Sequence, residues 1–389
     1  MAESIYPLRL VIPAYSDSLT DLIIELDHQR RFQLSGTTPP HIFFQLKRLF
    51  HLLESLGSAR IEGNRTTVAE IMERERFPIE AETRFREILN IEAALSFLEK
   101  TYTEAPNAFK IDHRLIRELH KLVVEGLPIN QEGDKAPGEY RSGTVRIAGA
   151  KHIPPDPADV FPLMDELVAF LDKNDAAKYD LIKVALAHHR FAWIHPFSNG
   201  NGRTVRLFTY ALLLKAGFKV GGALPGSRIL NPTAVFCADR DKYYERLARA
   251  DEGGEKNLLE WCSYVLAGLK VELEKVKNLL DFPWLTARVL RPAIDELYKK
   301  NGLSNHERAI LLVTLEKGII KNADARPVLP GLGQVQTSRI LSDMRDRRLL
   351  IPAPDSERKY LLNIDSSPLM SPVMRQLDAL GFLPLKGEI

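Results

Sequence analysis

The sequence predicts a mainly α-helical protein, with one β-hairpin set between helices and a C-terminal helix, helix and two strands. Three observations predict it. Apolar residues recur with a 3.6-residue period over most of the chain. One segment, "GEYRSGTVRIAGAKHIPPDP", alternates instead, with Val145 and Ile147 separated by polar or small residues before two prolines stop it. After "LLDFPWL" the texture changes again, and "SNHERAILLVTLEKG", "QVQTSRILSDMRDRRLL" and "IPAPDSERKYLLNI" read as helix, helix and two short strands joined by a charged turn.

The elements follow in order. "PPHIFFQLKRLFHLLESLGSARIEGN" places Phe43, Leu46, Leu49, Phe50, Leu53 and Leu56 on one helical face. "PADVFPLMDELVAFLDKN", "DLIKVALAHHRFAWIHPF" and "RTVRLFTYALLLKAGF" repeat that pattern, and further helices are expected around Arg114–Glu125, Asp241–Ala250 and Leu258–Leu280. No internal repeat or low-complexity segment interrupts them. The expected division is an N-terminal helical region over 1–105, a core over 106–282 and a C-terminal domain over 283–389.

Composition narrows the partners. The 389 residues carry 53 basic and 51 acidic side chains, a formal net charge of +2. No global field draws this chain to nucleic acid or membrane, so any basic patch is local. The two cysteines, Cys237 and Cys262, are far apart and form no C-x-x-C, which fits a reducing, cytoplasmic setting. The N-terminus, with an early acid and internal prolines, does not read as a signal peptide. The longest apolar runs, such as "FTYALLLKAGF", are too short to span a bilayer, and no membrane partner is expected.

The chemistry concentrates in "HPFSNGNGRTVR", His195 to Arg206. Pro196 cannot continue the preceding helix. Gly200 and Gly202 open backbone conformations closed to other residues, so successive N–H groups can form an anion nest. The next helix adds free N–H donors and a partial positive charge at its start. Arg203 and Arg206, three apart, share a helix face and suit a polyphosphate. His195, neutral at pH 7, can take a proton from a hydroxyl. Together these parts fit attack by a hydroxyl on a bound nucleotide phosphate. A histidine metal site fits poorly, because His188, His189 and His195 lack H-E-x-x-H spacing.

This stretch resembles the H-P-F-x-x-G-N-G-R-x-x-R signature of the Fic family. "RSGTVRIAGAKHIPP" resembles that family's flap, and "DRDKYYERLARAD" resembles its adenine-pocket segment. The similarity is close from about Asp112 to Ala250 and weaker back to about Tyr6. The resemblance implies a Fic-type helical core and a protein adenylyltransferase, with ATP as substrate and Mg²⁺ as cofactor. His195 would deprotonate a serine, threonine or tyrosine hydroxyl of a target protein, which would attack the α-phosphate of ATP and release pyrophosphate. Gly200, Asn201 and Gly202 would cradle the phosphates, and Arg203 and Arg206 would hold the β and γ groups. Phe197 would anchor the loop in the core. Tyr243 and Tyr244 would contact adenine. Val145, Arg146, Ile147 and Ala148 would form the flap strand that aligns the target. Other transferred groups, UMP or phosphocholine, stay open, as do self-modification and a homodimer.

Two further features follow from the resemblance. Asn199 stands where Fic transferases carry an acidic Mg²⁺ ligand; its carbonyl oxygen is a weaker candidate, since hard cations prefer charged oxygens. "SARIEGN" matches the family's inhibitory [Ser/Thr]-x-x-x-Glu-[Gly/Asn] motif, so Ser58 and Glu62 would form a lock in which Glu62 pairs with Arg206, the arginine meant for the γ-phosphate.

The C-terminal order suggests a winged helix-turn-helix. From Ser304 to Asn363 it carries three lysines and seven arginines against seven acids. Its second helix mixes Arg339, Arg345, Arg347 and Arg348 with Asp343 and Asp346, so DNA and protein are both open as partners. The rival to an enzyme is a DNA-binding regulator whose core senses nucleotide.

Overall fold

The computed structural model describes residues 6–31, 36–68, 70, 83–147, 149–218 and 232–383. Its helices are α1 (Ser18–Arg31), α2 (Pro40–Ile61), α3 (Thr83–Glu104), α4 (His113–Val124), α5 (Pro157–Asp172), α6 (Asp180–Ile194), α7 (Asn201–Lys215), α8 (Pro232–Cys237), α9 (Arg240–Ala250) and α10 (Glu255–Leu280). Then come α11 (Phe282–Leu285), a π turn over Thr286–Leu290, α12 (Arg291–Lys299) and α13 (Asn305–Lys317). Strand β1 (Ile319–Ile320), α14 (Asn322–Ala325), α15 (Gln334–Asp346), β2 (Leu350–Ala353), β3 (Ser356–Leu362) and α16 (Met370–Ala379) complete the order.

The chain forms two compact units. The first takes Met1–Gln33, Glu54–Thr66 and Glu80–Leu273; the second takes Leu34–Leu53, Thr67–Ile79 and Glu274–Ile389. Helices α2 and α10 therefore each supply residues to both units, a division that no break in the apolar pattern of α2 announces.

In the first unit the centre is α6 and α7. Almost every described side chain of both helices is buried, including His188, His189, Arg190, Arg203 and Arg206. Helices buried all round occupy the core of a fold. They pack on each other, and α3 and α4 pack on α7. Each fully buried Leu or Phe here contributes roughly 1.5–3 kcal/mol. The starts of these helices are written locally. Asp112 caps α4 by accepting from the Leu115 N–H at 2.9 Å, and Asp156 caps α5 beside Pro157 at its first position.

The second unit holds a three-stranded antiparallel sheet of order β1-β3-β2, with Ile319 opposite Leu361 and Leu350 opposite Leu362. Beyond the two strands expected from sequence, β1 and the short α14 appear between α13 and α15. Ser304 and Glu307 form a capping box at the start of α13. Phe50 lies 6.3 Å from Phe382, and Gln45 donates to the Leu362 carbonyl while accepting from the Ile364 and Asp365 N–H groups. The first turns of α2 thus belong to the same hydrophobic and hydrogen-bonded unit as the C-terminal sheet.

One expectation fails. The segment around Val145 and Ile147 forms no strand ladder among the described residues; it holds only a turn, with the Ala150 N–H on the Ile147 carbonyl. The return arm, Ile153-Pro154-Pro155, contains two residues without an N–H to donate. A period-2 pattern supplies a face but not ladder donors. Ala148 lies outside the described residues. Among the described residues no helix is long and apolar enough to cross a membrane.

Candidate active site

Helix α6 ends at His195, which adopts a left-handed conformation (φ 52°, ψ 61°) and keeps its N–H on the Phe191 carbonyl. A non-glycine residue in that region is uncommon and marks a position held by its surroundings. Those surroundings are specific. Phe197 is fully buried and stacks on His120 at 3.8 Å between ring centroids, 3° from parallel. The Asn201 side chain closes the loop on itself, its Oδ1 accepting from the Phe197 N–H at 2.9 Å and its Nδ2 donating to the Phe197 carbonyl at 2.8 Å. Gly200 (φ 70°) then turns the chain into α7; a Cβ there would lie 2.9 Å from Val124 Cγ1.

A second layer holds the loop from outside. His120 accepts from the Gly138 N–H at Nδ1, so its Nε2 carries the proton and donates to the Asn199 carbonyl at 3.1 Å. Burial lowers its pKa to about 4 against the pull of Asp134, so it is neutral. Asp134 accepts from the Asn199 N–H at 2.9 Å and from the Ala136 N–H at 2.8 Å. Sequence reading missed both residues; a buried His or Asp has no periodic signature, and only their contacts with Asn199 across the fold reveal them.

At the mouth, His195 is half-buried. Burial lowers its pKa to about 4, while a backbone hydrogen bond at Ala192 and the Glu62 carboxylate pull the other way. It is neutral at pH 7, the form that takes a proton. Arg206 lies in the core with one acidic partner among the described residues, Glu62, at 2.8 Å. Its Nε also donates to Ser58 Oγ at 2.8 Å and its Nη2 to the Ser58 carbonyl at 2.8 Å. Burial would raise the Glu62 pKa, but the Arg206 and Arg203 charges outweigh it and hold the carboxyl below its usual range. Arg206 is raised: desolvation opposes its charge, but Glu62 together with Tyr243, Cys237 and Tyr244 outweighs it. The Glu62 side chain keeps 26% exposure and sits over the first turn of α7: a Cβ on Gly202 would fall 2.0 Å from its Oε1. Only glycine leaves room for a carboxylate at that helix start.

Arg203 departs from expectation. It is buried, and its Nη2 meets Glu132 Oε2 at 2.8 Å and the Glu132 carbonyl at 2.9 Å, while Nη1 lies 3.3 Å from Glu87. Its guanidinium braces the interior rather than facing an open nest. Three residues along a helix is not a full turn, so Arg206 and Arg203 diverge by about 60° and meet different neighbours. Glu87 also accepts from Asn64 Nδ2 at 2.7 Å. Burial outweighs the Arg203 charge and raises the Glu87 pKa to about 7.

Asn199 is likewise spent on the loop. Its Nδ2 donates to the Gln131 and Gly133 carbonyls at 2.9 and 3.1 Å, and its Oδ1 accepts from the Gly200 N–H at 2.7 Å. The oxygen expected to hold Mg²⁺ is already a loop acceptor, and the amide nitrogen faces carbonyls. No cluster of three or more His, Cys, Asp or Glu that could hold a metal occurs among the described residues. This donor set does not fit a resident Mg²⁺. The Asn201 side chain, expected in the phosphate cradle, is committed to Phe197 as described.

The two tyrosines separate. Tyr243 is 2% exposed and its hydroxyl bonds His188 Nε2 at 2.9 Å, with Thr209 on the opposite ring nitrogen at 2.6 Å; it is a core residue. Tyr244 is 39% exposed with the Arg240 guanidinium 5.3 Å from its ring centre, and remains available to a base. In the flap segment, Arg146 is exposed and Val145 and Ile147 are half-buried.

Residues 110–213 match the model of the Fic/DOC family, which covers α4 to α7 and the whole loop. The chain is 32% identical over 274 residues to "Protein adenylyltransferase Fic" of Aedes aegypti, covering 64% of this chain and 49% of that one. It is 33% identical over 212 residues to the protein of the same name in Drosophila melanogaster, covering 52% and 37%. The chain thus spans about half the length, or less, of these curated relatives. A Fic family protein of known structure from Desulfovibrio desulfuricans superposes with a TM-score of 0.53 at 20% identity over 92% of this chain and 98% of that one, which supports the fold. Residues 110–213 thus carry a Fic/DOC domain match, and that segment contains the loop from His195 to Arg206.

Proposed function

We propose that this protein is a cytoplasmic protein adenylyltransferase that transfers AMP from ATP to a hydroxyl of a target protein or of its own chain, and that Glu62 holds it off. The observation that carries the reading is Glu62 at the loop mouth: its carboxylate acts on the neutral His195 and pairs with Arg206 at 2.8 Å, the one acidic partner of that arginine among the described residues. The relatives named as adenylyltransferases support it. In the working state the phosphates of ATP take the place of the Glu62 carboxylate at the start of α7, where N–H groups and the helix dipole favour negative charge. Arg206 then binds a terminal phosphate. The His195 lone pair takes the proton of the target hydroxyl as its oxygen attacks the α-phosphorus. The bond from that phosphorus to the bridging oxygen breaks, and pyrophosphate leaves. Asn199 would hold no cation in this reading, because its amide is committed to the loop. Tyr244 is the tyrosine that meets adenine. The segment around Val145 to Ile147, which forms no ladder among the described residues, offers backbone to a target strand.

The test is a Glu62→Gly variant incubated with ATP and read by mass for AMP on itself and on lysate proteins. Labelling should rise at least tenfold over the parent protein. Equal labelling with nucleotide bound removes the lock; labelling with neither ATP nor another nucleotide removes the transferase.

A second reading concerns the C-terminal unit, which we propose to be a winged helix-turn-helix. The order α13-β1-α14-α15-β2-β3 supports it. On α15 Gln334, Val335, Ser338 and Arg339 are exposed in the first half, Val335 by 77%, and the exposed acids Asp343 and Asp346 lie in the second half. Such side chains can meet base edges in a major groove. Full-length protein binding a DNA duplex with steep salt dependence, weakened by Arg339→Ala, supports this role; no binding at low salt removes it.

A further inference from the structure

Arg141 stands between α4 and the flap segment and was not singled out by any motif. It is 4% exposed and makes no ion pair among the described residues. Its guanidinium instead donates to four carbonyl oxygens. Nε reaches His195 at 2.8 Å, Nη1 reaches Gly143 at 3.0 Å, and Nη2 reaches Pro155 at 2.7 Å and Ile194 at 3.3 Å. The Arg141 N–H itself donates to the Pro196 carbonyl at 2.9 Å. Ile194 and His195 end α6, where carbonyls lack helical partners and the dipole favours a cation. Gly143 and Pro155 are the two roots of the flap. Desolvation lowers the Arg141 pKa, against the pull of Asp156, and guanidinium remains charged regardless.

One planar group therefore ties three pieces of backbone: the outgoing root of the flap, its returning root, and the carbonyls of the residue that carries the base. We propose that Arg141 is a positioning residue that fixes the flap in register with His195, so that a target segment lying along the flap delivers its hydroxyl to the ring. This rests on the transferase reading. Among the described residues the flap has no strand ladder to hold its two arms together, so its geometry depends on its roots. A second tether, His152 Nε2 on the Trp193 carbonyl at 2.8 Å, holds only the returning arm. A lysine has one nitrogen and no fork, so it cannot reach four carbonyls spread across three segments.

The test uses the full chain in a Glu62→Gly background, with Arg141→Lys and Arg141→Ala added separately. Two products are counted: AMP attached to protein, and AMP released by water, which needs no alignment by the flap. Arg141→Lys should lower the ratio of attached to released AMP at least tenfold, with ATP affinity within twofold of the background. Arg141→Ala should lower the ratio further. Amide hydrogen exchange over 142–155 should quicken in both. An unchanged ratio in Arg141→Lys overturns the inference, as does a fall in ATP affinity that matches the fall in transfer. If the Glu62→Gly background neither transfers nor releases AMP, the transferase reading fails by itself; exchange over 142–155 unchanged by Arg141→Lys then overturns the tether too.

Discussion

The foot and the mouth of one loop are built differently. At the foot, Asn199, Asn201 and Arg203 each meet two or more internal partners: Gln131, Gly133 and Gly200; both backbone groups of Phe197; Glu87 and Glu132. At the mouth, Arg206 has one carboxylate, and that carboxylate is partly open to water. Redundant partners make a scaffold, because removing any one strands the rest; Glu132 is 35% exposed, but Arg203 is backed as well by the buried Glu87. Arg206 also donates twice to Ser58, but in the proposed reading its one anionic partner among the described residues can be exchanged for a better anion. In the proposed reading two buried arginines of one motif thus serve a frame and a gate.

The comparison is sharpest at the mouth. His195→Ala should lower AMP transfer by ~10²–10⁴-fold, measured in the Glu62→Gly background, with unchanged melting temperature and nucleotide binding. Transfer at the background rate would take His195 out of the chemistry.

Arg203→Ala tests the foot. It leaves Glu87 and Glu132 facing each other without their cation, and should cost about 3–5 kcal/mol of stability by denaturant unfolding. A loss below 1 kcal/mol, with nucleotide affinity collapsing instead, would make Arg203 a phosphate ligand and erase the distinction drawn here.

Glu87 gives the foot a pH signature. Its folded pKa, about 7, lies above the ordinary 4.5, so the folded protein holds a proton that the unfolded chain releases. That contribution is full below pH 4.5 and is lost as pH rises through 7. Glu87→Gln should remove a stability decline on the order of 2–3 kcal/mol between those limits. Parallel pH–stability curves for the two proteins would contradict it.

Asn199→Asp is the smallest expected effect and the one where sequence and structure disagree. By resemblance it restores a metal ligand. In the loop it turns two donated hydrogen bonds into an oxygen facing the Gln131 and Gly133 carbonyls, at a cost of ~1–3 kcal/mol. A lowered melting temperature with no gain in divalent-cation affinity agrees with the structure; tighter Mg²⁺ binding without destabilisation agrees with the resemblance.

The sequence by itself determined the helices and the loop. Helical periodicity, Asp112 before α4 and Gly200 before α7 are local facts, fixed by backbone sterics and capping within a few residues. It also determined which groups the loop offers, since His195, the glycines and the two arginines are contiguous. Tertiary structure decided where those groups point and what they already hold. Arg203 and Arg206 read alike, yet Glu87 and Glu132 claim one and Glu62 the other, from segments far away in the chain. Tyr243 and Tyr244 are neighbours, yet His188 draws the first into the core. Arg141 and His120 have no pattern of their own, because a hydrogen bond to a distant carbonyl leaves no trace in local spacing. The membership of α2 in two units is of the same kind: an apolar helix face says that it will be buried, and only the packed chain says against what.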